Sequence, residues 1–261
     1  MIDTVVVSGG NIQVDFALDF LKKLKKETNE KISAQTSTSH SKDSKDSKDS
    51  KDSKDSKDSK DSKDSKDSKE LQLIAADKGL EFFITAGITP DLVVGDFDSL
   101  SPEGKAYMEK LSQTSIRRLK PEKDDSDTQS AVNLAISQGA KDILILGGTG
   151  TRLDHVMANL GLLLSGKERG VDIRLADANN FITLVDNGTV LHKDRQYGKY
   201  VSFFSVGGDV TGLTLEGFKY PLHDHHLRFA QSGLTVSNEI KEQEARITFS
   251  QGNLLMLMTR D

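Results

Sequence analysis

A parallel-sheet α/β domain followed by an antiparallel β-sandwich is the fold class that this 261-residue sequence predicts, and three observations predict it. Short β-branched runs alternate with amphipathic stretches as far as Leu164. After Val171 the texture changes to short β-like runs between Gly, Asn and Asp turns. The apolar content also suffices for a core once one low-complexity tract, Ser41 to Asp67, is set aside. That tract repeats Ser-Lys-Asp nine times with no apolar side chain. Outside it, 31 acidic residues face 26 basic ones, still a net charge of −5, and the apolar fraction rises to about two-fifths.

The elements follow in order. Thr4 to Ser8 predicts a strand from its three valines, and Asn11 to Lys26 an amphipathic helix. The Ser-Lys-Asp period of three fits neither a helix nor a strand and buries nothing, so residues 41–68 read as a solvated, disordered insertion. Gln72 to Ala76 predicts a strand, Gly79 to Ala86 a helix and Leu92 to Val94 a strand. Ser101 opens the next helix, with Pro102 at the first helical position where its missing N–H costs nothing. Ser115 to Leu119 follows as a strand, Asp127 to Gln138 as a helix, Ile143 to Leu146 as a strand and Asp154 to Leu164 as a helix. The sandwich strands include Tyr200 to Ser205, Gly212 to Leu215, Gly233 to Val236, Ala245 to Phe249 and Leu254 to Thr259. Asp177-Ala178-Asn179-Asn180 breaks the pattern, which divides residues 1–178 from 179–261.

Several function classes fall away. No stretch reaches the roughly 18 apolar residues a spanning helix needs, and Val5 to Val7 is too short for a signal peptide, so a cytoplasmic protein without a membrane partner is expected. With no Cys there is no disulfide framework, zinc-thiolate site or cysteine nucleophile. An acidic surplus without a basic stripe argues against a nucleic-acid partner.

In an open parallel sheet, ligands bind beyond the carboxyl ends of the strands, so the residues after each strand share one rim. Those residues are Gly9-Gly10, then Asp77, then Gly95-Asp96-Phe97-Asp98-Ser99, then Lys123-Asp124-Asp125-Ser126-Asp127, then Gly147 to His155. Every strand exit is rich in glycine or acid. Such a rim suits phosphate transfer with a divalent cation. Asp96 and Asp98, two apart on an extended segment, point to one side while Phe97 turns into the core; Asp124 and Asp127 share a helical face. Crowded carboxylates repel one another until a cation such as Mg²⁺ reverses the balance. The plainer alternatives are helix capping for Asp124 and Asp127, and a polar turn for Asp96 and Asp98.

The segment from Gly147 to Arg152 can bring backbone N–H groups to an anion, with Arg152 as a planar fork, although a tight turn alone would look the same. It lacks the Gly-Lys-Ser/Thr ending of a P-loop and the third glycine of a dinucleotide turn. His223, Asp224, His225 and His226 read as a solvated loop, because adjacent strand side chains diverge and no carboxylate cluster lies nearby. No Gly-x-Ser-x-Gly elbow supports a serine hydrolase.

Five segments resemble the thiamine pyrophosphokinase family: Ile74 to Gly79, Gly87 to Ser99, Lys123 to Asp127, Gly147 to His155 with Asn159, and Ser237-Asn238-Glu239. The resemblance implies a homodimer with a three-layer, Rossmann-like α/β domain that holds ATP and Mg²⁺. The β domain would complete a thiamine pocket across the dimer interface. It implies pyrophosphoryl transfer from ATP to the thiamine hydroxyl, releasing AMP. By that likeness Asp96, Asp98, Asp124 and Asp127 would manage the metal and the reacting phosphates, and Arg152 the phosphate chain. Asp77, Asp154 and Asn159 would shape the nucleotide site, with Lys123, Gly147, Gly148, Gly150 and His155 beside them, and Ser237 and Asn238 would contact thiamine. With no Trp in the chain, an aromatic stacked on thiamine would come from Phe218, Tyr220, Phe229 or another such residue. The residues alone also allow another acceptor, a pterin or water, or a nucleotide-binding regulator without turnover.

Overall fold

The structure, a computed structural model, describes residues 1–39, 70–111, 116–120, 125–150 and 152–261. The expected disordered insertion lies outside the described residues, as do Lys123 and Asp124. Six strands form the parallel part: β1 (Thr4–Val7), β2 (Gln72–Ala76), β3 (Leu92–Gly95), β4 (Ile116–Arg118), β5 (Asp142–Leu146) and β6 (Asp172–Ala176). They lie in the order β4-β3-β2-β1-β5-β6. Strand β1 is Thr-Val-Val-Val with all four residues buried, as expected for a strand covered on both faces. Its side chains alternate, Val5 and Val7 into one core and Val6 into the other.

The helices are α1 (Val14–Ser39), α2 (Leu80–Ala86), α3 (Pro102–Met108), α4 (Asp127–Ser137) and α5 (Leu153–Glu168). The first three cover the Val5 face, the last two the Val6 face. In α1, buried Ala17, Leu21, Leu24 and Thr28 keep helical spacing two residues beyond the expected end at Lys26. Ser101 caps α3 by accepting a 3.1 Å hydrogen bond from the Gly104 N–H, with Pro102 next to it as expected.

Strand β6 corrects the reading of the chain after Val171, because it pairs parallel with β5 and belongs to the first part of the sheet. The chain then reverses into β7 (Asn180–Val185), β8 (Thr189–His192), β9 (Tyr200–Glu216), β10 (Leu222–Leu227), β11 (Asn238–Glu239), β12 (Glu244–Thr248) and β13 (Gln251–Thr259). Hydrogen bonding continues without a break from β6 to β7, β13 and β9. Strand β9 joins the two strands expected at Tyr200 to Ser205 and Gly212 to Leu215. Its first half pairs with β13, and its second half with β10 and β12. Gly207 and Gly208, both at positive φ, sit where it passes between layers, a backbone state that side chains disfavour. The core of this part gathers Phe203, Leu213, Leu215, Ile247 and Met256.

Two expectations fail here. Gly233 to Val236 is not a strand; a 3₁₀ segment spans Phe229–Thr235, held by Thr235 Oγ1 donating to the carbonyls of Phe203 and Ser232. The His223 to His226 stretch is strand β10 rather than a loop, because backbone pairing with β9 and the burial of Leu227 override its polar composition.

Candidate functional site

Strand order places β1 between β2 and β5, so the crossover from β4 through α4 to β5 makes a switch point at the carboxyl ends of β1 and β5. Three exits converge beside it. A 3₁₀ turn, Asp77–Gly79, follows β2 directly, with Asp77 at φ 45°. The segment after β3 meets it closely: a Cβ on Gly95 would lie 3.0 Å from the Asp77 Cα, so only glycine fits without displacement. Carboxylate oxygens of Asp77, Asp96 and Asp98 all lie within 4.8 Å of one another. Between the last two, Phe97 is 3% exposed in the core, as expected, with the Arg118 guanidinium 5.2 Å from its ring centroid. The Asp98 N–H donates to Asp96 Oδ1 at 3.2 Å.

Asp77 carries the unusual electrostatics. One carboxylate oxygen accepts from the Ser99 hydroxyl, while Oδ1 is buried without a hydrogen-bond partner among the described residues. Burial pushes its pKa above the ordinary carboxylate value; Ser99 and the Lys78 N–H oppose this, and the like charges of Asp127 and Asp96 add to it. An orphaned buried oxygen within a carboxylate trio fits a hard divalent cation, which takes oxygen ligands and compensates clustered negative charge.

Ser126 caps α4 by accepting the Gln129 N–H at 3.2 Å, so Ser126 rather than Asp127 is the cap. Asp125 is occupied by Gln129 Nε2 at 2.7 Å and Asn133 Nδ2 at 3.2 Å. Asp127 lies in the first turn of α4, near enough for its charge to act on Asp77. A buried 2.7 Å hydrogen bond between the Ser8 and Thr128 hydroxyls ties this helix end to the exit of β1.

Across the switch point, the loop after β5 packs its glycines against the exit of β1. Gly10 N–H donates to the Gly147 carbonyl at 3.2 Å, and a Cβ on Gly147 would lie 2.8 Å from Ile12. Asn159 is 4% exposed and donates to the Gly148 carbonyl at 2.9 Å, so it shapes the loop from beneath. Arg152 is engaged with Asp154, at 3.1 Å through Nε and 2.5 Å through a terminal nitrogen, with both side chains mostly exposed. That guanidinium holds the Asp154 carboxyl down at about 2. An exposed pair contributes little, so Arg152 can exchange Asp154 for another anion. His155 is exposed, and its N–H donates to Asp154 Oδ1 at 3.0 Å. Beside this loop lies a cavity of about 350 Å³ bordered by Asn11, Phe16, Gly147, Thr149, Asp177 and Asn180, among others.

The remaining two site residues sit on the β part. Ser237 is exposed at φ 57°, its N–H held 3.0 Å from the Ser202 hydroxyl. Asn238 is 2% exposed with its amide turned inward: Oδ1 accepts from the Tyr220 N–H at 3.0 Å, and Nδ2 donates to the Tyr220 carbonyl at 2.7 Å. Of the aromatics named for stacking, Phe218 is buried in the core, whereas Tyr220 and Phe229 are exposed. Sequence reasoning placed Asp77 at the nucleotide and missed Ser8, Ser99, Gly95 and Thr128 as supports; a glycine before Asp-x-Asp was the available signal for a close approach.

Two family descriptions match this chain: "Thiamin pyrophosphokinase, catalytic domain" over residues 64–175 and "Thiamin pyrophosphokinase, vitamin B1 binding domain" over 189–254. A thiamine pyrophosphokinase of Bacillus subtilis is 34% identical over 188 residues, 72% of this chain and 87% of its own length. A crystal structure of thiamine pyrophosphokinase from Bacillus subtilis superposes with a TM-score of 0.71 at 26% identity, covering 99% of both chains. One from Geobacillus thermodenitrificans gives 0.69 at 27% identity, covering 99% of this chain and 97% of the other. The chain belongs to the thiamine pyrophosphokinase family.

Proposed function

We propose that this chain carries the pyrophosphoryl group of ATP to the hydroxyl of thiamine at the rim where β1, β2, β3 and β5 end, yielding thiamine diphosphate and AMP. The convergence of Asp77, Asp96 and Asp98 beside the glycine loop carries this reading. Asp77, Asp96 and Asp98 would hold Mg²⁺, with Asp127 and, by the sequence pattern, Asp124 close by. Bound there, the ion offsets charge on the reacting phosphates and screens the clustered carboxylates.

The protein's own groups do the positioning. Backbone N–H groups of the loop through Gly147, Gly148 and Gly150 receive phosphate oxygens, and Arg152 leaves Asp154 to clasp the chain with its planar fork. Lys123 and His155 would join them in binding the nucleotide. Asp98, the exposed member of the trio, takes the hydroxyl proton at a carboxylate oxygen. Little covalent work falls to the protein, because orientation and charge supply most of such catalysis. Tyr220, fixed by Asn238 next to Ser237, offers its ring to thiamine.

Residues 1–178 would serve the nucleotide and 179–261 the acceptor. Exposed Leu153 and Met157 on α5, with Phe229, Leu234 and Val236, support a homodimer that covers them. No described helix is long and apolar enough to cross a membrane, and a cytoplasmic setting would supply the ATP. Incubation with ATP, Mg²⁺ and thiamine tests the proposal. AMP and thiamine diphosphate should appear in equal amounts, and AMP formed without thiamine would overturn it.

A further inference from the structure

The turn between β6 and β7 is bound to the glycine loop through one carboxylate. Asp177 Oδ1 accepts the N–H of Asn179 at 2.7 Å, the N–H of Asn180 at 2.8 Å and the Asn180 side-chain amide at 2.9 Å. Its Oδ2 accepts the same amide at 3.0 Å and the hydroxyl of Thr149, which stands between Gly148 and Gly150. The Asp177 carbonyl receives the Tyr197 hydroxyl. Tyr197 in turn packs on Phe16 and Phe20 of α1 and Phe181 of β7, beneath the Arg260 guanidinium. With its lone pairs taken by the protein, this carboxylate is not offered to a ligand.

What it does offer is rigidity at the edge of the 350 Å³ cavity, which Thr149 and Asp177 both border. A loop of glycines can approach an anion closely but loses more conformational freedom than any other sequence when the anion fixes it. A charge-assisted hydrogen bond from Thr149 removes part of that freedom in advance. We propose that Asp177 and Thr149 are positioning residues for the donor nucleotide, anchoring the glycine loop to the β6–β7 turn so that ATP meets a loop already in its binding shape. This rests on the reading that ATP binds at that loop, and it assigns a share of ATP affinity to two residues outside the phosphate contacts.

Thr149→Val keeps shape and removes only the hydroxyl, so folding should survive. The dissociation constant for Mg²⁺ with a non-hydrolysable methylene analogue of ATP, measured by calorimetry, should rise about tenfold, equivalent to about 1.4 kcal/mol. KM for ATP should rise in parallel, while KM for thiamine and kcat at saturating ATP stay within about twofold. Thr149→Ser should recover most of the loss, and Asp177→Asn should reproduce it. A merely structural bond would lower the melting temperature of Thr149→Val and leave analogue affinity and KM for ATP unchanged; that result overturns the inference. Analogue binding is read without turnover, so failure of the parent protein to form thiamine diphosphate would reject the assigned reaction while the affinity comparison still decides the role of Asp177.

Discussion

Asp77 shows how one side chain can be costly to the fold and useful to the site. Its buried oxygen, unpartnered among the described residues, and its raised pKa describe a carboxylate whose charge burial disfavours. Asp77→Asn should therefore melt no lower than the parent in metal-free buffer, since Asn tolerates the positive φ and its amide can donate to neighbouring carboxylates. Turnover should fall by two to three orders of magnitude, about 3–4 kcal/mol of barrier; a variant with unchanged turnover would remove Asp77 from the metal site. Tyr197 gives a pH test away from that site. Burial lifts its hydroxyl from 10.0 to about 12, a raised folded-state value, so its stabilisation is complete below pH 10 and lost as pH rises through about 12. Unfolding monitored across that window should show a decline that is shallower in Tyr197→Phe. At this scale the sequence was only partly legible. Asp96 and Asp98 converge and Phe97 enters the core as expected, but through a turn with Phe97 at φ 68° rather than an extended segment, and nothing in the sequence shows that the amides of Asn159 and Asn238 turn inward to the backbone.

Among the elements, strand exits control the site because β2 and β3 deliver Asp77, Asp96 and Asp98 by short departures from largely buried strands. Gly95 is the tightest of these. Alanine there would press on the Asp77 backbone at 3.0 Å, with an expected stability loss of about 1–3 kcal/mol. Catalysis should suffer as well, because the few tenths of an ångström by which Asp77 must give way shift one carboxylate of the trio. Metal titration of Gly95→Ala should show weaker binding; parental affinity would mean the approach is not required. Strands β1, β3 and β5 were readable because residues buried on both faces leave unbroken apolar runs such as Val5 to Val7, whereas Asp172 and Arg174 interrupt the run of β6 and hid it. Strand β10 was not, since Leu-His-Asp-His-His-Leu has no such run and its conformation comes from pairing with β9. The Phe229–Thr235 segment misleads in the opposite sense, its strand-like composition overruled by local side-chain bonds from Ser232 and Thr235.

For the whole molecule, the order of elements decides what can affect the site from a distance. The chain between α1 and β2 enters β2 at Gln72, the amino end of the sheet, while Asp77 and the glycine loop lie at the other end. Deleting residues 41–67 should thus leave turnover nearly unchanged, and a loss beyond about tenfold, or about 1.4 kcal/mol of barrier, would contradict that placement. The hydrogen-bonded ladder from β6 through β7 and β13 has a different consequence. Ile182 and Leu255, from beyond the Asp177 turn, pack in the same cluster as Val6, Ile145 and Leu163. A fragment truncated after residue 178 would leave β6 as an open edge beside a half-covered core, a template for intermolecular pairing. Such a fragment is expected to be recovered as insoluble aggregate, and calorimetry of the intact chain should give a single endotherm, because the Val6-side core is shared by both halves and couples their melting.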